Sequence, residues 1–234
     1  GMQTSIGSMV PLVFGGIKGL PTNALIIIIA GIVILLLGVY LVGYSGVLKE
    51  RKLYPGSSKK NKKAIKGILL AVFGGVLAAC LNYSFSFGRP VIDIAKVEFA
   101  GNAPKAVIAV WILALAGGSI SSFGYCVFLF LKNKRMANIK SYPVKRLFGL
   151  ALIMAILHDG AIFFYGFGSD KLGKLGPTIG FAIFTSGMML IGNLNGFITG
   201  EWRGSGGKIK SMLISGLAVL IIGILVLAYS NSLS

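Results

Sequence analysis

The sequence predicts an all-α integral membrane protein with about six full transmembrane helices and one partial helix, and two observations support this. First, 55% of the 234 residues are hydrophobic and only 12% are charged, and the mean hydropathy is +0.85. A soluble domain of this length cannot bury so much apolar side chain. Second, six apolar stretches each have the about 20 residues that a hydrocarbon core of about 30 Å requires. They lie at 24–45, 64–88, 105–131, 146–168, 175–198 and 211–230.

The stretch 2–17 is also apolar, but it is short. Pro11 and three glycines, Gly7, Gly15 and Gly16, interrupt it, so we interpret it as part of a helix. No basic segment precedes the next apolar stretch and no small-residue cleavage site follows that stretch. A removable signal peptide is therefore not expected.

The basic residues alternate from loop to loop along the chain. Most of the 23 lysines and arginines lie at 49–66, 132–146 and 203–210, and the intervening loops hold few. The positive-inside rule predicts that the first set of loops is cytoplasmic and that the C-terminus is outside. The acidic residues Asp93 and Asp170 then lie on the outer side.

The formal net charge of +17 is also a feature of proteins that bind nucleic acids. The densest basic run, Lys59-Lys60-Asn61-Lys62-Lys63, has no interleaved aromatic residues and belongs to no RNA-binding motif. We interpret it as a topology signal that contacts anionic lipid head groups, and we predict no nucleic-acid partner.

The last apolar stretch repeats the first at a constant offset of 185 residues. The matching residues are Gly31, Gly38, Tyr44 and Ser45 with Gly216, Gly223, Tyr229 and Ser230. The loop charges give the two copies opposite orientations, which is the pattern of inverted repeats in secondary transporters. We therefore divide the chain into the last two helices of a first five-helix repeat (1–48, the first of them partial), a basic cytoplasmic loop (49–63) and a complete second repeat (64–234).

Polar side chains inside the predicted helices need partners or a cavity. They either form hydrogen bonds between helices or line a polar cavity for a substrate. For the second interpretation, the candidate substrate contacts are Asn82, Ser122, Tyr125, Tyr165 and Asn193. Ser119 belongs to the same stripe as Ser122.

His158 and Asp159 lie together near the centre of the stretch 146–168. A charge at that depth costs from about 2.5 to more than 10 kcal/mol, so an acidic residue there is exceptional. Asp159 is either a proton carrier, with His158 beside it, or a neutral carboxyl with a local hydrogen bond, or the true span is shifted along the sequence so that the pair lies nearer the membrane surface. Proton coupling is the functional hypothesis for this pair.

Several segments, taken in order along the chain, resemble the L-rhamnose/proton symporter family of the drug/metabolite transporter superfamily. They are Leu48-Lys49-Glu50-Arg51-Lys52, Ala116-Gly117-Gly118 with Tyr125-Cys126, Phe163-Phe164-Tyr165-Gly166-x-Gly168, Lys171-Leu172-Gly173-Lys174-Leu175-Gly176 and Gly200-Glu201-Trp202. The resemblance implies ten helices in two inverted repeats, a bacterial inner membrane location, and a truncated first repeat. The chain departs from the family pattern at Ser122, where asparagine is expected, and at His158-Asp159, where aromatic and apolar residues are expected.

The function that this resemblance implies is proton-coupled uptake of L-rhamnose or a related monosaccharide by alternating access, not an enzymatic reaction. The alternatives are an exporter or facilitator of another small metabolite, an intramembrane enzyme that uses His158 and Asp159, and a fragment that transports nothing alone. Cys80 and Cys126 lie in predicted helices without histidine or cysteine at metal-ligand spacing. We therefore predict no metal and no cofactor.

Overall fold

A computed structural model describes residues 2–16, 20–53, 62–99, 101–133 and 143–233. These residues contain helices and no strand, and six of the helices are long and apolar enough to cross a membrane. The predicted all-α membrane fold with six spans is therefore confirmed. The apolar stretch at the start of the chain is also helical, as predicted.

Eight α-helices follow one another along the described residues. They are α1 (Met2–Pro11, continued by a π-helical turn at Leu12–Gly16), α2 (Thr22–Leu53), α3 (Lys62–Phe87), α4 (Arg89–Glu98), α5 (Ala103–Lys132), α6 (Val144–Lys171), α7 (Phe181–Ile198) and α8 (Gly207–Asn231). A 3-10 turn (Gly173–Leu175) and a π-helical turn (Gly176–Gly180) lead into α7.

The helices differ from the predicted stretches at their ends and in one additional element. Helix α2 continues past its apolar part to Leu53, because lysine, glutamate and arginine are good helix formers once the chain leaves the apolar region. Helix α4 was not predicted, since ten residues are too few to span a membrane. Pro90 occupies its first turn, where a missing N–H costs nothing.

The chain divides into two compact units, residues 1–83 with 171–234 and residues 84–170. The core of the first unit is formed by α2 and α8, which pack antiparallel through glycines. Gly38 faces Leu220 of α8, and Gly223 of α8 faces Leu35. Each leucine lies where a glycine leaves no side chain, so the two helix backbones approach closely.

These contacts follow the 185-residue repeat. Gly31 faces Leu227, and its repeat equivalent Gly216 faces Val42, which is the equivalent of Leu227. The two serines of the repeat are also equivalent in structure. The hydroxyl of Ser45 donates to the carbonyl of Val42 at 2.7 Å, and that of Ser230 donates to the carbonyl of Leu227 at 2.6 Å. The matched residues of the repeat thus form a two-fold symmetric contact.

The segment Gly200-Glu201-Trp202 covers the C-terminal end of α2 within the first unit. The ammonium of Lys49 lies 4.5 Å from the centre of the Trp202 ring and 3.8 Å from a carboxylate oxygen of Glu201. Trp202 is buried and stacks on Phe197, with ring centres 6.0 Å apart. A cation near the end of a helix also interacts favourably with the helix dipole. These contacts explain this motif as a structural connection between α2 and the α7–α8 loop.

In the second unit, α4 packs on α5 and is joined to the end of α6 by an ion-pair cluster. Both oxygens of the Asp170 carboxylate lie within 2.9 Å of the Lys96 ammonium, and the Arg89 guanidinium is 3.8 Å away. The Asp170 side chain is only 8% exposed, whereas both cations are partly exposed. The burial of this cluster is therefore intermediate between that of a surface ion pair and that of a fully buried one.

We expect the substitution Asp170→Asn to destabilise the attachment of α4 to α6, because it leaves two cations without their anion. The expected loss lies between the about 1 kcal/mol of an exposed pair and the about 3–5 kcal/mol of a buried one. Hydrogen exchange of the α4 amides in the purified protein measures it. Asp93→Asn is the matched control, since Asp93 is exposed on α4 and has no ion pair among the described residues. Equal exchange in the two variants would contradict this assignment.

Candidate functional site

A groove of about 680 Å³ lies between α5 and α6 in the second unit. Helix α6 contributes Asp159, Gly160, Ile162 and Phe163. Helix α5 contributes Ile108, Trp111, Ile112, Leu115, Ala116 and Ser119. The residues of α5 recur every three or four positions and therefore share one helix face. The volume is within the range of about 300–1,000 Å³ that is typical of small-molecule sites.

Three side chains of the groove carry polar groups: the hydroxyl of Ser119, the carboxylate of Asp159 and the indole N–H of Trp111. The indole nitrogen is buried against Gly166, so Ser119 and Asp159 are the polar groups that a ligand can reach. Trp111 and Gly166 are in contact at one end of the groove. A side-chain carbon added at Gly166 would collide with the indole nitrogen of Trp111. From that contact, Ser119 lies about two turns further along α5, and Asp159 lies about two turns back along α6. Since consecutive membrane-spanning helices cross the bilayer in opposite directions, the two polar residues lie at the same end of the groove.

An aromatic cluster supports the floor of the groove. Trp111 stacks on Phe85 with ring centres 5.1 Å apart, and Tyr165 lies 5.7 Å from Phe85 and 6.1 Å from Trp111. All three rings are buried. Such a cluster holds the Trp111 ring in one orientation, since stacked and tilted aromatic pairs are favourable beyond their buried area.

Of the residues predicted to act on substrate or protons, Asp159 is the one that lines the groove. His158, Ser122 and Tyr125 are exposed on α6 and α5 and are not among the groove residues. Tyr165 belongs to the buried aromatic cluster. The sequence thus identified the carboxylate of the groove, and Ser122 lies one helical turn from the groove residue Ser119.

Asn82 and Asn193 lie in the first unit. The Asn82 side chain is completely buried, and its amide nitrogen donates to the carbonyl of Gly7 at 2.6 Å and to that of Pro177 at 2.7 Å. Asn82 thereby joins α3 to α1 and to the turn before α7. The amide nitrogen of Asn193 donates to the carbonyl of Met189 in its own helix at 2.8 Å. In both residues the amide nitrogen is occupied by backbone carbonyls.

Trp111 and Ile112 were not recognised in the sequence as site residues. Within α5 nearly every residue is apolar, so no hydrophobic periodicity distinguishes the groove face from the others. The available signal was the spacing of Trp111 and Ser119, which are eight residues apart and hence nearly on one face. The partner helix needed for a groove is visible only in the folded chain.

A family model and several curated proteins match the chain. A family model described as L-rhamnose-proton symport protein (RhaT) matches residues 1–231. The chain is 29% identical over 203 residues to the L-rhamnose-proton symporter of Klebsiella pneumoniae (strain 342). It is 28% identical over 202 residues to that of Yersinia pestis bv. Antiqua (strain Antiqua), and 28% identical over 203 residues to that of Yersinia pseudotuberculosis serotype O:3 (strain YPIII).

These matches cover 82% of this chain but only 56% of each relative, so the chain spans little more than half the length of the curated relatives it matches. No solved structure matches the chain at a significant level. A symport protein is a transporter and not an enzyme. Because the family model extends over nearly the whole sequence, the chain belongs to the L-rhamnose-proton symport protein family.

Proposed function

We propose that this chain takes part in proton-coupled uptake of L-rhamnose or a related monosaccharide across a bacterial inner membrane. The observation that carries the proposal is the position of Asp159, an ionisable residue that opens onto a groove between two membrane-spanning helices. Ionisable residues in such a position mark the paths of substrates and protons. The relatives are named as L-rhamnose-proton symporters, which supports the choice of sugar and ion.

The proposed architecture is a pair of inverted repeats, of which the chain holds the last two helices of the first repeat and a complete second repeat. The symmetric contacts of α2 with α8 support it, because Gly31 and Gly216 are equivalent in sequence and face equivalent residues. Inverted repeats allow a site near the midplane to open to either side by rocking of one repeat against the other. The proposed topology has the basic loops in the cytoplasm and the C-terminus outside.

Asp159 is the proposed proton carrier, with His158 as its neighbour on α6. A protonated carboxyl is neutral and can donate a hydrogen bond, whereas a carboxylate only accepts hydrogen bonds. The neutral form has a much lower cost at membrane depth, so a transporter that moves between outward and inward states does so more readily with this group protonated. Loading of the proton is thereby linked to the movement of the substrate. Ser122, Tyr125, Tyr165, Asn82 and Asn193 remain proposed substrate contacts at other points of the transport path, since none of them lines the groove.

Uptake of labelled L-rhamnose tests the proposal. We expect cells that lack their own L-rhamnose transport, and that express this protein, to accumulate the sugar, and a protonophore to abolish the accumulation. One proton that moves down about 100 mV supplies about 2.3 kcal/mol, which corresponds to roughly 50-fold accumulation. Cells with an empty vector are the control.

Two results would contradict parts of the proposal separately. Accumulation that a protonophore leaves unchanged would exclude proton coupling. Accumulation of another sugar in place of L-rhamnose would show that the substrate is wrong while the transport activity is correct.

A further inference from the structure

We propose that the groove between α5 and α6 binds a 6-deoxy sugar with its methyl group among the apolar residues and its ring hydroxyls at Ser119 and Asp159. This inference rests on the proposed sugar transport and adds the site and the basis of selectivity. No residue of the groove other than Asp159 has a role in the transport mechanism described above.

The distribution of polar groups in the groove supports this orientation. Ser119 and Asp159 provide a hydroxyl and a carboxylate at one end, and together they can accept hydrogen bonds from two or more ring hydroxyls. The remaining lining includes Ile108, Ile112 and Ile162, which offer no hydrogen-bond partner. A ligand with hydroxyls at one end and a methyl group at the other matches this division.

The same separation of polar and apolar groups predicts that the groove distinguishes two sugars that differ at a single carbon. L-Mannose differs from L-rhamnose only by a hydroxyl on carbon 6, where L-rhamnose has a methyl group. In the apolar part of the groove that hydroxyl would lose its hydrogen bonds to water without replacement. An apolar pocket rejects an added hydroxyl by up to about 100-fold, so L-mannose should bind about 10- to 100-fold more weakly.

A lipid acyl chain is the other occupant that an apolar groove within a membrane could take. The polar groups of Ser119 and Asp159 argue against it, because an acyl chain offers them no hydrogen bond, whereas sugar hydroxyls do. Oleate, added to the protein in vesicles or nanodiscs, therefore serves as the competing ligand in the test.

Trp111 provides a direct signal, since the chain has only two tryptophans. In the variant Trp202→Phe, the only remaining tryptophan lies on the floor of the groove. We expect L-rhamnose to change the emission of Trp111 in a saturable manner. The concentration that gives half of the maximal change should be about 10- to 100-fold lower for L-rhamnose than for L-mannose. The variant Trp111→Phe retains Trp202 and should lose the signal.

A variant in the groove tests the assigned orientation. Ala116→Ser places a hydroxyl among the groove residues, and we expect it to lower the preference for L-rhamnose over L-mannose at least about threefold, because it offers the C6 hydroxyl a partner. Ala114→Ser is the matched control, since Ala114 lies on α5 outside the groove. The ratio of two sugars measured on one protein sample does not depend on how much of the variant folds.

The outcomes separate this inference from the proposed function. If the wild-type protein accumulates L-rhamnose but Ala116→Ser and Ala114→Ser have the same sugar preference, the groove assignment is wrong and the transport function stands. A Trp111 signal that oleate produces and sugars do not would identify an acyl-chain groove and overturn the inference. If the wild-type protein neither binds nor transports L-rhamnose, both the function and the inference are wrong.

Discussion

The substitution Asp159→Asn is expected to reduce the accumulation of L-rhamnose from roughly 50-fold to no accumulation, because an amide cannot carry a proton. Equilibration of the sugar down its own gradient should continue. Asparagine has nearly the same shape as aspartate and still offers a carbonyl and an amide to sugar hydroxyls in the groove. The measurement compares the steady-state internal sugar with the rate of sugar exchange in cells without a proton gradient.

Two further variants control this experiment. Asp93→Asn removes an exposed carboxylate of α4 and should leave accumulation unchanged. His158→Gln tests whether the neighbouring imidazole shares the proton. This substitution does not change the groove lining, because His158 is exposed and does not line the groove. If Asp159→Asn leaves coupled uptake intact, Asp159 is not the proton carrier.

The substitution Gly38→Ala is expected to lower the free energy of unfolding by about 1–3 kcal/mol, as overpacking of a tight interface does. The added carbon would lie 2.8 Å from a side-chain carbon of Leu220 and 2.9 Å from its backbone nitrogen. A backbone atom cannot turn aside as a side chain can, so α2 and α8 must separate. Thermal unfolding of the purified protein in detergent measures the effect.

The same helix supplies the control. Gly43 has no atom within 4 Å of the position of an added carbon, so Gly43→Ala should raise stability by up to about 1 kcal/mol through helix propensity alone. Gly223→Ala should resemble Gly38→Ala in sign and size, because the added carbon would lie 3.1 Å from the backbone nitrogen of Leu35. Equal effects of Gly38→Ala and Gly43→Ala would contradict the proposed glycine contact.

Apolar length and basic loops were sufficient to predict the spans, because membrane insertion depends on properties that are local in sequence. The one additional helix, α4, has neither signal. It is amphipathic and short, and it is held both by packing on α5 and by the ion pair between Lys96 and Asp170, which are far apart in the chain.

One residue of the groove, Asp159, was singled out from the sequence, and its role stays a prediction. Asp159 was identified because any carboxylate at membrane depth is exceptional, whatever surrounds it. The roles of the asparagines depend on neighbours that the sequence does not reveal. Asn82 was predicted to contact substrate, and in the fold its amide nitrogen meets the carbonyls of Gly7 and Pro177. Its place among the substrate contacts stays a prediction that transport assays of Asn82 variants can test.

By itself, the sequence determined that this is a multi-span helical membrane protein, and it contained the 185-residue repeat and the carboxylate of Asp159 within a predicted span. These features follow from composition, periodicity and the cost of charge in lipid, each of which acts residue by residue. Only the tertiary structure decided that the repeat glycines of α2 and α8 face equivalent partners, and that Ser119 and Asp159 open onto one groove. Pairing between helices depends on which faces meet, and uniformly apolar helices carry no pattern that specifies those faces.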